Sequence, residues 1–260
     1  MTNIFHLNCV KIIPPMSPEI IVPGHCLLLE ENDRLALVDT GLGLKDIQNP
    51  LERLGNENIN GSGIQLDETL TAFYQIKKLG FSPEQVTDCV ITHCDVDHTG
   101  GLADFPQAKL HLGLEEYENF CREGETLSRY SLSHISHHPP IKTYSKTTDD
   151  WFGLEARKIE LNFETEFFLI PLFGHTNGHC GVAARYNNGW LFYVGDAYYL
   201  RVELTDETHW VNNLAEARAE NNSLRKESLN KIKKLMKDHP EIEVFCYHDV
   251  EELSKYNLNS

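Results

Sequence analysis

The chain of 260 residues has 7 cysteines but no C-x-x-C pair, and it has no apolar run long enough to cross a bilayer. Its longest apolar stretch, Phe167 to Phe173, is interrupted by Pro171 and falls far short of the roughly 20 residues a spanning helix needs. Met1 to His6 carries no positively charged segment ahead of an apolar run, so no signal peptide is read and a cytoplasmic location is expected. An odd cysteine count in a chain this large is read as reduced thiols. Basic side chains are the scarcer sign, 23 Lys and Arg against 39 Asp and Glu, for a net charge of −16. That balance opposes the general attraction to phosphate backbones and anionic lipid, so neither a nucleic-acid nor a membrane partner is expected. The 41% apolar and 10% aromatic content excludes a disordered chain. Histidine is plentiful instead, with 13 residues, and their positions carry the argument.

No internal repeat is visible. Strand signals run over Ile4 to Val10, His25 to Glu30 and Leu35 to Asp39, the last two joined as a hairpin by Glu31-Asn32-Asp33-Arg34. A polar stretch to Gly63 reads as a surface excursion, and Asp67 to Leu79 reads as a helix closed by Gly80. Strands follow at Asp88 to Thr92 and Lys109 to Leu112, then a helix from Leu114 to about Cys121. Residues 123 to 151 look like an irregular insertion or lid. Further strands are expected at Ala156 to Leu161, Glu166 to Leu172, Val182 to Tyr186, Trp190 to Val194 and Glu243 to Tyr247, with a hairpin turn at Asn187-Asn188-Gly189. A long helix is expected from about Leu214 to Lys237; its basic residues, Arg225 among them, read as a solvated outer face. Strands dominating each half, followed by helices, suggest two packed sheets with helices outside, as one domain over residues 1–260.

The densest chemistry is Thr92-His93-Cys94-Asp95-Val96-Asp97-His98-Thr99-Gly100-Gly101. Alternation along an extended chain lets His93, Asp95 and Asp97 converge, while His98 requires a bend that Gly100-Gly101 would permit through positive φ. Three later strand ends each deliver one more ligand type: His175 in Gly174-His175-Thr176-Asn177-Gly178-His179, Asp196 after Gly195, and His248 after Tyr247. Imidazoles and carboxylates without thiolate suit zinc, manganese or iron.

In these blocks the sequence resembles the metallo-β-lactamase superfamily, whose motifs are H-x-H-x-D-H, a G-H-T-x-G-H segment, a G-D aspartate and a late histidine. All four occur in order across residues 93 to 248, and Leu37-Val38-Asp39-Thr40-Gly41 matches the strand and loop that precede them. The resemblance implies an α/β fold, a four-layer αββα sandwich, with a binuclear centre at the edge between the sheets. It places one metal on His93, Asp95 and His175, the other on Asp97, His98 and His248, and Asp196 between them. Two divalent ions are expected, zinc first. Asp95 stands where the family has a second histidine, which tilts the expectation toward Mn²⁺ or Fe²⁺ at that site.

The resemblance further implies a hydrolase of esters or lactones, closest to the acyl-homoserine-lactonase-like branch, in which water activated by the metals attacks the carbonyl. Asp97 would carry the proton, and Tyr199 would donate to the oxyanion unless it is a packed aromatic beside Tyr198. Asp39 would support the site from behind, and His179 would brace its loop. Phosphodiesterase, thioesterase of the glyoxalase II kind, iron-dependent redox and non-catalytic binding readings remain alternatives. A small-molecule substrate and a monomer or homodimer are expected. The substrate pocket is expected from residues 123 to 151, where His134, His137 and His138 either line a mouth or sit in a flexible polar loop, and from 198 to 214, with Trp151, Phe152 and Trp210 either contributing or serving as ordinary packing. His111 reads as a satisfied core or edge residue.

Overall fold

A computed structural model describes residues 2–123, 129–186 and 189–257. Strands β1 (Asn3–Ile12), β2 (Val22–Glu31), β3 (Arg34–Val38), β4 (Val86–Val90), β5 (Lys109–Gly113) and β6 (Ile141–Tyr144) form one sheet in that order. The first three pair antiparallel and the rest parallel. After the two-residue strands β7 (Asp150–Trp151) and β8 (Leu154–Glu155), a second sheet is built from β9 (Arg157–Lys158), β10 (Phe167–Pro171), β11 (Cys180–Tyr186), β12 (Gly189–Tyr193) and β13 (Glu243–Phe245), ordered β13-β12-β11-β10-β9.

Two-residue alternation in the second sheet divides its side chains between two cores. Leu169, Val182, Ala184, Leu191 and Tyr193 join Leu27, Leu29 and Leu37 of the first sheet in the inter-sheet core. Ile170, Ala183, Phe192 and Val244 face outward and are covered by Leu229, Ile232 and Leu235. Those three lie on α7 (Asn222–Asp238), the last but one of the eight α-helices among the described residues; the others are α1 (Leu44–Gln48), α2 (Pro50–Arg53), α3 (Ala72–Lys78), α4 (Val96–Thr99), α5 (Leu114–Glu123), α6 (Val211–Arg218) and α8 (Val250–Asn257). Ile76 of α3 and Phe120 of α5 complete the core on the first sheet's side. The result is the expected four-layer αββα sandwich. Among the described residues, no helix is long and apolar enough to cross a membrane.

Several sequence expectations change. The helix expected over 214–237 is two: Asn221 interrupts it and caps α7, its side chain accepting from the Leu224 N–H at 3.1 Å. Arg225 is not on a solvated face; it is buried and pairs with Glu203 at 3.1 Å. Thr71 divides the expected 67–79 helix into a 3₁₀ turn, Glu68–Leu70, and α3. The stretch before Gly63 holds α1, α2 and a π turn at Glu57–Gly61. Of the expected irregular insertion, 124–128 lies outside the described residues, while Ile141–Tyr144 is the edge strand of the first sheet, parallel to β5. The Asn187-Asn188 turn also lies outside them, although β11 and β12 pair antiparallel up to Tyr186 and Gly189.

Candidate metal centre

Topology brings five chain segments to one edge. In the first sheet β3 and β4 run parallel, so Asp39 and His93 emerge from the same side. In the second, β10 and β12 are both antiparallel to β11, and β13 is parallel to β12, so His175, Asp196 and His248 also leave together. Cross-sheet hydrogen bonds fasten the edge: Cys180 N–H to Thr92 O at 2.9 Å, His25 N–H to Tyr247 O at 2.9 Å, and Tyr247 Oη to Asp97 O at 2.6 Å.

The bend that turns His98 inward is a helix start. Asp95 is the N-cap residue of α4, and its carbonyl accepts from the His98 N–H at 2.9 Å. Gly100 has φ −55° and needs no left-handed freedom. Its hydrogen is required by space, because a Cβ there would lie 2.0 Å from Asp46 Oδ2. Gly195 does use positive φ, at 52°, and a Cβ would sit 2.8 Å from His179 Nε2. That gap lets His179 Nε2 accept from the Asp196 N–H at 3.0 Å while its Nδ1 bonds Leu172 O at 3.0 Å. His179 therefore braces the Asp196 loop, as expected.

All seven sequence-predicted ligands converge. Three compact donor groups can each hold an ion: His93 with Asp95 and His175, Asp97 with His98 and His248, and His93 with His98 and Asp196. The Nε2 atoms of His93, His98, His175 and His248 lie 3.9, 3.5, 3.5 and 3.4 Å from Asp196 carboxylate oxygens. Each imidazole is held from behind through Nδ1: His98 by Asp39 Oδ2 at 2.8 Å, His93 by Thr92 Oγ1 at 3.1 Å, His248 by Pro23 O at 2.9 Å, and His175, more weakly, by Tyr199 Oη at 3.4 Å. With hydrogen on Nδ1, every Nε2 lone pair points into the cluster.

This donor set fits divalent ions. Buried His93 Nε2, His98 Nε2 and Asp196 Oδ1 have no hydrogen-bond partner, a costly arrangement unless a cation or water satisfies them. Burial pushes the carboxyls of Asp95 and Asp196 upward. The Arg129 guanidinium and the facing imidazoles of His93 and His175 for Asp95, and the facing imidazoles of His248 and His98 for Asp196, outweigh that and hold both well below the usual carboxylate range. They therefore stand ionised, the state in which a carboxylate can bind a cation.

Asp39 is the hub behind the site. Besides His98 it accepts from Thr92 N–H (2.9 Å), Thr92 Oγ1 (2.8 Å) and Tyr193 Oη (2.8 Å). Two supporting residues escaped the sequence reading. Glu116, buried on α5, accepts from Cys94 N–H at 2.8 Å and Thr176 Oγ1 at 2.6 Å, tying the His93 and His175 segments together; burial lifts its carboxyl to about 7. Arg129 places Nε 3.5 Å from Asp95 Oδ1. Neither belongs to a short motif, so no local pattern marked them.

Beside the centre is a cavity of about 720 Å³, lined by Asp95, Asp97, Asp196 and His248 and elsewhere mainly by apolar side chains such as Ile12, Ile21, Ile64, Leu200, Val202, Trp210 and Leu214. Tyr199 lines it, whereas Tyr198 is buried in the outer core and bonds Glu252, so Tyr199 is not simply its packing partner. The expected contribution of residues 198 to 214 is present. No described residue of 123 to 151 lines the cavity; lining comes instead from the β1–β2 connection and residues 58 to 64. Trp151 instead packs on Phe152, Trp190 and Phe192 in the outer core. His134 is buried against Thr99 and Asp46, and neither His137 nor His138 reaches the cavity. His111 is satisfied by Asp88 and Tyr144 at 2.7 and 2.8 Å.

Comparison with known proteins agrees with this architecture. The family model described as the metallo-beta-lactamase superfamily matches residues 20–248. A probable metallo-hydrolase of Mycobacterium tuberculosis is 31% identical over 256 residues, covering 95% of this chain and 80% of that protein. The N-acyl homoserine lactonase AiiA of Bacillus thuringiensis subsp. kurstaki is 23% identical, with 89% and 83% covered. In fold, the chain is similar to the solved structure of an N-acyl homoserine lactone hydrolase with the product N-hexanoyl-L-homoserine at its catalytic metal centre. The TM-score is 0.72 at 20% identity, covering 97% of this chain and 95% of that one.

Proposed function

The chain belongs to the metallo-β-lactamase superfamily and is a metal-dependent hydrolase, and from that premise we propose that it opens lactones or esters whose acyl part is apolar, using two divalent ions. The observation that carries this reading is the contact between the donor cluster and the apolar cavity: Asp95, Asp97, Asp196 and His248 line the same cavity as Ile21, Trp210 and Leu214. A reacting carbonyl placed at the carboxylate end leaves its acyl chain among the aliphatic and aromatic side chains.

His93, Asp95 and His175 would hold one ion and Asp97, His98 and His248 the other, with Asp196 reaching both; zinc suits the donors, and Mn²⁺ or Fe²⁺ suits the added carboxylate of Asp95. When bound, the ions supply Lewis acidity toward the carbonyl oxygen and lower the pKa of water. Asp97, whose side chain is 15% exposed against 4% for Asp95 and Asp196, takes the proton of the attacking water and returns it to the leaving alkoxide. The acyl C–O bond breaks, giving a carboxylate and an alcohol. Tyr199 donates its phenol hydrogen toward the carbonyl oxygen as charge develops there.

The test is a hydrolysis panel on the metal-loaded protein: N-acyl homoserine lactones of increasing chain length, simple lactones, thioesters, phosphodiesters and a cephalosporin. Lactone opening is expected, with kcat/KM rising about fourfold per added methylene until the cavity is filled, because each buried methylene contributes about 0.8 kcal/mol. Turnover confined to phosphodiesters or thioesters, or a rate indifferent to acyl length, overturns the reading.

A further inference from the structure

We propose that Arg129 is a positioning residue acting through Asp95: its guanidinium is the built-in counter-charge of that carboxylate, and the two residues together set the electrostatic strength of the His93–Asp95–His175 donor group. The proposal rests on the reading of this cluster as a metal centre. Geometry divides the Asp95 carboxylate in two. Oδ2 faces the cluster, 3.1 Å from His175 Nε2 and 3.5 Å from His93 Nε2, whereas Oδ1 faces away, 3.5 Å from Arg129 Nε.

Arg129 is anchored at both ends. Its Nη1 donates to His175 O at 2.9 Å and its Nη2 donates to Arg218 O, while its own carbonyl accepts from the Val96 N–H, a first-turn donor of α4, at 2.9 Å. The guanidinium thus cannot leave Asp95 without releasing the His175 carbonyl. The two carbonyls it holds are neutral; the carboxylate that answers its charge first is Asp95, with Glu220 behind it, while Arg218 adds a second, weaker positive charge toward Asp95.

Asp95, Asp97 and Asp196 place three carboxylates around the four imidazoles. Arg129 offsets the one that faces His93 and His175, leaving that donor group with nearly the net charge a neutral ligand would give. Replacing Asp95 by a neutral imidazole, although imidazole is a good ligand, then leaves a partly buried guanidinium without its nearest counter-charge beside the ion, and like charge there repels it.

The experiment measures Zn²⁺ and Mn²⁺ affinity of metal-stripped protein by competition with a chromophoric chelator, for wild type, D95H, R129Q and D95H/R129Q. Thermal unfolding in EDTA checks that each is folded. D95H is expected to lose about tenfold or more in affinity for the weaker-bound ion, within the range seen when the surroundings of metal ligands are disturbed, and D95H/R129Q is expected to regain most of it. If the glutamine variant is unfolded in EDTA, Arg129→Met in the D95H background supplies the same neutralisation with the aliphatic stem kept. A mere structural clip on His175 and Arg218 predicts that R129Q weakens binding equally in the wild-type and D95H backgrounds, and that result overturns the proposal. Wild-type protein that takes up no metal defeats instead the reading of the cluster as a metal centre.

Discussion

Asp39 Oδ2 lies 2.8 Å from His98 Nδ1, in a side chain whose backbone stands at φ +53° and whose carboxylate also takes the Thr92 N–H, the Thr92 hydroxyl and the Tyr193 phenol. The carboxylate fixes the His98 tautomer and makes its Nε2 a better donor to an ion. Asparagine tolerates the positive φ, so Asp39→Asn isolates the chemistry from the backbone. Its amide nitrogen meets at least one donor head-on. Metal affinity is expected to fall about 10–100-fold, and metal-free protein is expected to lose about 1–3 kcal/mol for a donor left unsatisfied. Elemental analysis after dialysis and urea unfolding in EDTA read the two effects separately. Full metal retention in Asp39→Asn defeats the assignment.

Much of the candidate donor set was legible in the sequence because His93, His175, Asp196 and His248 each follow the end of a strand, and strands that share a direction within a sheet end at the same edge. His93, His175, Asp196 and His248 needed only that argument. His98 was placed correctly for a wrong reason: the inward turn comes from the α4 N-terminus at Asp95, and Gly100 is present because Asp46 leaves no room for a Cβ. The cavity wall was half legible. Residues 198 to 214 follow directly on Asp196, so proximity in sequence predicted proximity in space. Ile12, Ile21 and Ile64 arrive through sheet pairing and a loop remote in sequence, which no local pattern reports. Arg129 and Glu116 were missed for the same reason, since what they do depends on partners 34 and 60 positions away, Asp95 and Thr176.

His134 illustrates how a histidine near a site in sequence can serve the scaffold. Its Nδ1 bonds Thr99 Oγ1 at 2.8 Å, and its Nε2 lies 3.4 Å from Asp46 Oδ1, which also takes Arg53 Nε at 2.6 Å. Arg53 continues to Ser133 O and Gly100 O. Asp46→Ala strands the buried guanidinium and is expected to cost about 3–5 kcal/mol. His134→Ala keeps the Asp46–Arg53 pair and is expected to cost less, about 1–2 kcal/mol for the lost hydrogen bond and packing. Equilibrium urea denaturation checks both values, and KM for any substrate found should not change in His134→Ala. A raised KM there returns His134 to the substrate mouth.

His6 sets a stability trend with pH that is independent of the metal ligands. Its Nδ1 lies 2.8 Å from His25 Nε2, its ring stacks on Tyr256 at 3.6 Å between centroids, and burial lowers its pKa from 6.5 to about 4. Above pH 6.5 the ring is neutral in both folded and unfolded chains and contributes no slope. Between 6.5 and 4 the unfolded chain takes the proton and the native one does not, so stability falls as pH falls, approaching one extra proton bound on unfolding. His6→Phe keeps the stacking and removes the titration. In EDTA, to remove metal loss as a contribution, its unfolding free energy should decline less steeply than wild type from pH 7 to 4.5. Parallel curves show that His6 titrates normally in the folded protein.

Tyr199 is where packing and chemistry make different demands. Its ring lies edge-on to both His175 and His248, at 5.7 and 5.5 Å between centroids, and it lines the cavity beside the donor cluster. Removing the hydroxyl alone leaves those ring contacts in place, and the 3.4 Å approach to His175 Nδ1 is too long to anchor that ligand strongly. Tyr199→Phe should therefore bind metal as wild type does and melt within about 2 °C of it, in line with a change of well under 1 kcal/mol in a chain this size. If the phenol donates to the developing oxyanion, kcat falls about 10²-fold while KM stays nearly constant, the pattern of an interaction made in the transition state alone. If the phenol serves the ground state, KM rises and kcat holds. If Tyr199 is packing only, neither constant moves in Tyr199→Phe, whereas Tyr199→Ala, which empties the wall, disturbs both.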